Sequence, residues 1–250
     1  MAICDTVLGK GKSMRALTVI AAVVLGIMPP VGQAGESCTE DAMIVFDGSG
    51  SMAEMGFNKI GVPRISEARQ ALHDVLPRIA SIRRLGLVIY GPGGDRTCRN
   101  TELRFGPQWD AAPRITAEVD ALLPVGGTPL TEGVRLAAET LEYRSEPGAI
   151  VLITDGDETC GGEPCQLAAE LAADGADLTV HVIGFKVRSS HFSWEDKAES
   201  TVVSVARCLA DRTGGQYLSA ETVEDLVDAL QVTLGCQIYG QMSVRPRKLQ

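Results

Sequence analysis

The chain has 250 residues, which is enough for one large α/β domain or two small ones. Apolar residues make up 45% of it and charged residues 22%, an ordinary balance for a globular protein with a substantial core. The formal net charge is −9, and the basic residues are scattered among the acidic ones. We therefore expect no nucleic-acid partner, because such a partner requires a basic stripe.

Residues 1–34 have the layout of a secretory signal peptide. Basic residues up to Arg15 precede an apolar run from Ala16 to Ile27, and small residues lead to a cleavage site predicted after Ala34. Because signal peptides usually carry their basic residues near the start, Met14 is an alternative initiator. A membrane anchor is the competing interpretation. A membrane span needs about 20 apolar residues, and this run is too short. We expect a periplasmic or secreted chain with no membrane span in its mature form.

The first half of the chain alternates apolar runs with amphipathic stretches. The predicted elements are a buried strand, a helix, a second strand, a short edge strand and two helices, at Ala42–Phe46, Arg64–Ile82, Leu85–Tyr90, Thr101–Phe105, Ala112–Leu123 and Pro129–Tyr143. Pro129 suits the first position of its helix, with Thr128 as the preceding cap.

The second half continues the alternation. Its predicted strands are Ala149–Thr154, Leu178–Phe185 and Gln216–Ser219, its helices are Gln166–Ala173, Thr201–Arg212 and Thr222–Leu234, and a polar loop covers Val187–Lys197. His181 falls inside a strand and is predicted to be a hydrogen-bonded core residue. Solid apolar strands followed by helices predict one α/β domain over residues 35–236, doubly wound, with a mostly parallel central sheet and helices on both faces. Residues 237–250 form a polar, basic tail.

Three segments supply oxygen side chains at predicted strand or loop ends. Asp47, Ser49 and Ser51 follow the first strand, Thr128 precedes a helix, and Asp155 follows the third long apolar strand. Ligands of open parallel sheets bind outside the carboxyl ends of the strands. A set of carboxylates and hydroxyls without His or Cys suits a hard cation such as Mg²⁺, Mn²⁺ or Ca²⁺ rather than Zn²⁺.

The bland alternative is that these residues only form turns, which Asp, Ser and Gly all favour. Turn formation does not require all five oxygens to fall in register at strand ends, so we favour the metal site. Asp157 and Glu158 stand beside Asp155 and either shape the acidity of the site or lie in a solvated loop, and the loop is the favoured interpretation.

Six cysteines remain after the predicted cleavage, an even number that indicates disulfides in an exported protein. Cys160 and Cys165 enclose a four-residue loop and are predicted to pair, since their spacing does not fit a metal knuckle. Before the first strand and after the last helix stand Cys38 and Cys236, which could clasp the two ends of the domain. By default, the remaining pair is Cys98 and Cys208.

The pattern Asp47-x-Ser49-x-Ser51, followed by Thr128 and Asp155, resembles the metal-ion-dependent adhesion site of von Willebrand factor A (VWA) domains. The similarity covers about 42–234 and implies a Rossmann-like sheet with helices on both faces. It implies that these five residues hold a divalent cation directly or through water, with Mg²⁺ as first choice and Mn²⁺ or Ca²⁺ as alternatives. It also implies a protein ligand that presents an Asp or Glu carboxylate to the metal.

Two other classes of function compete with this adhesion-type binding module. A metal-dependent hydrolase of the envelope would need a base or nucleophile near the metal, yet no His stands near a site segment and no Gly-x-Ser-x-Gly elbow is present. A VWA subunit assisting a larger, ATP-driven complex would work inside the cell, which the export signal contradicts. We therefore expect a binding protein with no enzymatic activity.

Overall fold

The apolar runs form a six-stranded sheet in the computed structural model, which describes residues 40–55, 61–93, 98–187 and 202–235. The strands are β1 (Asp41–Asp47), β2 (Leu85–Tyr90), β3 (Thr101–Gln108), β4 (Pro147–Thr154), β5 (Asp177–Phe185) and β6 (Tyr217–Ala220). Their order across the sheet is β3-β2-β1-β4-β5-β6. The pairing of β2 with β3 is antiparallel and the other four pairings are parallel.

Six helices cover the two faces of this sheet. They are α1 (Arg64–Ile79), α2 (Ala112–Asp120), α3 (Leu130–Thr140), α4 (Pro164–Asp174), α5 (Val202–Thr213) and α6 (Val223–Leu234), and a short 3₁₀ helix spans Gly50–Ala53. One core lies between the sheet and α1, α2 and α6, and the other lies between the sheet and α3, α4 and α5. The predicted doubly wound α/β fold is therefore confirmed.

Burial on both faces explains why the central strands are continuous apolar runs. In β1, Ala42, Ile44 and Phe46 enter one core, while Met43 and Val45 enter the other. All five are fully buried. A strand at the edge of the sheet does not need to be apolar on both faces, and in β3 only Phe105 is buried.

The crossover between β1 and β4 decides where a ligand can bind. The neighbours of β1 are β2 on one side and β4 on the other, so the winding direction of the chain reverses there. A crevice opens at such a reversal, outside the carboxyl ends of the strands. Asp47 ends β1, and Asp155 directly follows β4, so both carboxylates lie at this crevice.

The start of α3 differs from the prediction. Pro129 is itself the cap residue and offers no side-chain hydrogen bond, and the helix begins at Leu130. The backbone of Thr128 is bound elsewhere: its N–H donates to Thr159 Oγ1 at 2.8 Å, and its carbonyl accepts from Thr159 N at 3.2 Å. Thr128 is thus held by the loop after β4 rather than serving the helix as a cap.

Two disulfides join described cysteines, and they correct the predicted pairing. Cys98 bonds to Cys160, and Cys165 bonds to Cys208. Cys165 lies in the first turn of α4 and reaches α5, the helix packed beside it, whereas Cys160 reaches the loop before β3. The prediction of a Cys160–Cys165 bond and the default pairing of Cys98 with Cys208 were therefore wrong, because nearness in sequence did not decide which segments meet.

Several expectations fall on residues outside the described ranges. These are the signal peptide over 1–34, the alternative start at Met14, the Cys38–Cys236 clasp, most of the Val187–Lys197 loop and the tail over 237–250. Among the described helices, none combines the length and the apolar character needed to cross a membrane.

His181 is a half-buried residue of β5, and its ring accepts a hydrogen bond, as the sequence suggested. The N–H of Gln216 donates to its Nδ1 at 3.1 Å, a bond that requires this nitrogen to be unprotonated. Burial, and secondarily the charge of Arg83, lowers the pKa of His181 from 6.5 to about 4.

We expect His181 to make stability sensitive to acid. In the unfolded chain His181 takes up a proton near pH 6.5, whereas in the folded chain it does so only near pH 4. The contribution of His181 to the free energy of unfolding is therefore fully present above pH 6.5 and is lost as the pH falls toward 4. The loss should be on the order of 2 kcal/mol. His181→Asn keeps an acceptor but cannot titrate, so its free energy of unfolding in urea should decline less over this window. Equal declines in the two proteins would refute the prediction.

Candidate metal centre

Asp47 is a fully buried carboxylate whose two oxygens are both hydrogen-bonded. Its Oδ1 accepts from the N–H of Ser49 at 2.8 Å, and its Oδ2 accepts from Thr154 Oγ1 at 2.8 Å. Thr154 is the last residue of β4, the strand beside β1. The two strand ends are thus joined through this carboxylate, which is held in one orientation.

Ser49, Ser51 and Asp155 form a chain of hydrogen bonds at the same edge. Ser51 Oγ donates to Asp155 Oδ1 at 2.6 Å, and the hydroxyls of Ser49 and Ser51 lie 3.0 Å apart. Four of the five predicted ligands are therefore brought into one continuous cluster.

Thr128, the fifth predicted ligand, is placed beside this cluster by its loop. The N–H of Gly50 donates to the carbonyl of Gly126 at 2.9 Å, and Ser49 forms an isolated β-bridge with Gly126. Thr128 follows two residues later, and it is 5% exposed. The structure brings its loop against the Asp47–Ser51 segment, and the hydrogen bond between the two segments joins backbone atoms.

Glycines allow three loops to meet at this point. The carbonyl of Gly91 accepts from the N–H of Gly126 at 2.8 Å, and a Cβ at Gly126 would lie 2.7 Å from that oxygen. Gly91 itself has φ +81°, and a Cβ there would lie 2.6 Å from the nitrogen of Ser49. Any side chain at either position would therefore separate the loops that carry Ser49 and Thr128.

Arg64 is a buried cation at this edge that sequence reasoning did not identify. Its Nη1 donates to Asp155 Oδ2 at 3.0 Å and to the carbonyl of Ser51 at 3.0 Å. The Arg64 side chain is 3% exposed and that of Asp155 is fully buried. The exposed Glu54 is a second, looser partner at 3.5 Å.

The electrostatics of the two carboxylates follow from burial. Burial raises the pKa of Asp155 to about 7, and the charge of Asp47 adds to the rise, although Ser51 and Arg64 oppose it. Burial likewise raises the pKa of Asp47 above its usual value, against hydrogen bonds from Ser49 and Thr154. Burial and the charge of Asp47 raise the pKa of Tyr90 well above its normal value. Ionising both carboxylates without a cation is therefore costly.

A second buried ion pair lies one helical turn from Arg64. Lys186, which directly follows β5, donates from Nζ to Glu67 of α1, and both side chains are almost fully buried. The buried charged groups near these strand ends are thus three carboxylates and two cations, with a formal net charge of −1. They are Asp47, Asp155, Glu67, Arg64 and Lys186.

Glu158 joins the start of α3 to the loop after β4 beside the site. It does not lie in a solvated loop, which corrects the favoured interpretation of the sequence. Its Oε2 accepts from Thr131 N at 2.9 Å and from Thr131 Oγ1 at 2.7 Å, and its Oε1 accepts from Cys160 N at 2.9 Å. The Cys98–Cys160 disulfide lies against Gly127, where a Cβ would be 3.0 Å from Cys160 Sγ. The loop that carries Thr128 is therefore packed against a covalent cross-link.

The residues present fit a hard divalent cation. Two buried carboxylates and two hydroxyls converge, a third hydroxyl stands beside them, and every candidate donor is an oxygen. Across the described parts of the chain, no group of three or more His, Cys, Asp or Glu side chains could hold a metal, so a site of softer or more acidic composition is not found there.

The sequence held a weak signal for Arg64. A cation at the first position of a helix lies at the positive end of the helix macrodipole, where an anion would be favoured. No comparable signal existed for Thr154 or for the pairing of Glu67 with Lys186, because these contacts join positions 107 and 119 residues apart.

Comparisons with known proteins find similar sequences and the same fold. The protein YwmD of Bacillus subtilis (strain 168) is 27% identical over 229 residues, which cover 87% of this chain and 95% of that protein. The pilus adhesin SpaC of Lactobacillus rhamnosus GG is similar in structure, with a TM-score of 0.57 and 14% identity over 80% of this chain and 30% of that one.

A third similar protein is proximal thread matrix protein 1 from the mussel byssus, solved with zinc in its MIDAS motif. Its TM-score is 0.50 and its identity 16%, over 79% of this chain and 48% of that one. At these identities, the two solved structures show a shared fold. Residues 42–158 match the family model described as the von Willebrand factor type A domain. Over these residues, the chain therefore resembles the von Willebrand factor type A domain.

Proposed function

We propose that this protein is an exported, metal-dependent binding module that grips a carboxylate of a protein ligand through a divalent cation. The cation would be held by Asp47, Ser49, Ser51, Thr128 and Asp155, directly or through water. The observation that carries the proposal is the joining of two buried carboxylates and two hydroxyls at the crossover of the sheet. Mg²⁺ is the first choice, with Mn²⁺ or Ca²⁺ as alternatives.

The charge of this edge supports an acidic ligand. Its buried groups have a formal net charge of −1, so a bound divalent ion would leave an excess of +1. Such a site attracts a carboxylate from outside, although the chain as a whole is acidic with a net charge of −9. The same overall charge supports the proposal that nucleic acid is not a partner.

Binding is favoured over catalysis by the surroundings of the site. The described histidines are engaged elsewhere: His73 pairs with Asp120 at 2.9 Å, and His181 accepts from Gln216. The hydroxyls of Ser49 and Ser51 contact each other, and that of Ser51 also donates to Asp155. We therefore propose that the protein is not a hydrolase, because a hydrolase would need a base or nucleophile beside the metal.

The proposed location is the periplasm or the exterior of the cell. Two disulfides join four described cysteines, and such bonds persist in oxidising compartments. Export is also what the predicted signal peptide over 1–34 implies. The fold that the chain shares with a pilus adhesin is compatible with this placement.

Metal titration tests the site directly. Asp47→Ala should abolish Mg²⁺ binding at millimolar concentrations, because it removes both charge and an oxygen. Thr128→Ala keeps both carboxylates and should weaken binding only about 10- to 100-fold. Asp120→Ala removes an exposed carboxylate of α2 away from the site and should have no effect. Isothermal titration calorimetry with Mg²⁺ and Mn²⁺ provides the measurement, and equal uptake by wild type and Asp47→Ala would reject the proposal.

Capture of envelope proteins tests the function. Immobilised wild-type protein should retain a ligand from a periplasmic or extracellular fraction with Mg²⁺ present and release it with EDTA. Asp47→Ala should retain none, whereas Asp120→Ala should behave as wild type. A ligand held equally by Asp47→Ala and in EDTA would show that binding does not use the metal.

The disulfide behind Gly127 offers a matched pair of variants. Cys98–Cys160 and Cys165–Cys208 span 62 and 43 residues, so the chain-entropy model gives both a stabilisation of about 4 kcal/mol. The double Cys→Ala variants should thus lose similar stability in denaturant, about 2–4 kcal/mol. Only removal of Cys98–Cys160 should also lower Mg²⁺ affinity, by about tenfold, because only that bond packs against the Thr128 loop. Equal Mg²⁺ affinities in the two variants would contradict this.

A further inference from the structure

Arg64 is the buried charged group that stands closest to the proposed ligands without being able to bind a cation itself. One of its nitrogens, Nη1, contacts both Asp155 Oδ2 and the carbonyl of Ser51, at 3.0 Å each. A guanidinium stays protonated in proteins, so this charge is permanent. Arg64 therefore supplies positive charge to Asp155, a carboxylate that a metal would also neutralise.

The position of Arg64 makes sense only in terms of this site. As the first residue of α1, it lies at the positive end of the helix macrodipole, where a cation is unfavourable. The Nε–H of Arg64 is buried and lacks a hydrogen-bond partner among the described residues, a further cost. Both costs are offset by the contact with Asp155, whose side chain has no exposure to water.

We propose that Arg64 is a built-in counter-charge that keeps the metal-free site assembled and, in return, weakens its affinity for the metal. This inference rests on the proposed function. Arg64 and the metal would both neutralise Asp155, so each gains less when the other is present. Such coupling is reciprocal, and it must therefore appear as a change in metal affinity when Arg64 is removed.

The orientation of Asp155 explains how both charges can share one carboxylate. Arg64 binds Oδ2, while Oδ1 accepts from Ser51 and points into the hydroxyl cluster. Arg64 thus holds Asp155 through the carboxylate oxygen that Ser51 does not use. It is a positioning residue, not a metal ligand.

The test compares Arg64→Met, Arg64→Lys and wild type, each in EDTA and in Mg²⁺. In EDTA, Arg64→Met should unfold at a lower temperature than wild type, because the buried Asp155 loses its counter-charge. Mg²⁺ should raise its melting temperature by more than it raises that of wild type. By calorimetry, its Mg²⁺ affinity should rise at least about tenfold, because the variant lacks a positive charge that repels the divalent ion at short range. Arg64→Lys keeps the charge and should return the affinity toward that of wild type.

Arg83→Met is the matched control. Arg83 is also buried and also donates to backbone carbonyls, those of Glu40 and Leu234, but it precedes β2 at the opposite end of the parallel strands. Its loss should lower the melting temperature and leave the Mg²⁺ affinity unchanged. If Arg64→Met proves unfolded even with Mg²⁺, Arg64→Gln, which keeps a donor without the charge, carries the same expectation.

The outcomes separate this inference from the proposed function. If wild type binds Mg²⁺ and the uncharged Arg64 variants bind it equally or more weakly, the counter-charge is refuted while the proposed function stands. If neither wild type nor these variants bind Mg²⁺ or Mn²⁺ at millimolar levels, both are refuted. If only the variants bind, Arg64 is a counter-charge that excludes the metal, and the proposed function fails.

Discussion

Two carboxylates buried at the ends of neighbouring parallel strands are the constraint on which the rest of this site depends. Asp47 and Asp155 are withdrawn from water and close enough for each to disfavour the charge of the other. Nearby polar groups offset the cost of burying these charges. Thr154 and Ser51 donate hydrogen bonds to the carboxylates, and Arg64 brings a full positive charge to Asp155. The remaining negative charge supports the proposal that a divalent cation binds at these strand ends.

The surrounding loops are built to hold these groups still. Gly91 and Gly126 let two loops touch at backbone distance, and Glu158 ties the start of α3 to the loop after β4. The Cys98–Cys160 disulfide then closes the rim behind Gly127. A site that must present a metal to an incoming ligand gains from such rigidity, because the ligand need not order the loops when it binds.

The balance of charge also links stability to binding. With Arg64 and the Glu67–Lys186 pair in place, the metal-free edge carries a formal net charge of only −1, so the fold need not depend on the metal. Under the proposed function, a bound divalent ion would reverse that sign and attract a carboxylate. One set of buried charges thereby serves both the apo fold and the proposed grip on a ligand.

Sequence alone was sufficient to predict the doubly wound fold, since strands buried on both faces, such as β1, must be continuous apolar runs. It also predicted that Asp47, Ser49, Ser51 and Asp155 lie close together, because the strand ends of a parallel sheet meet at one edge. It could not predict that Arg64 reaches Asp155, that Glu67 meets Lys186, or that Cys160 bonds to Cys98 rather than to Cys165. Those contacts join segments that are far apart in the sequence, and the local sequence pattern does not relate them to each other. Only the packing of helices and loops around the sheet decides which segments meet.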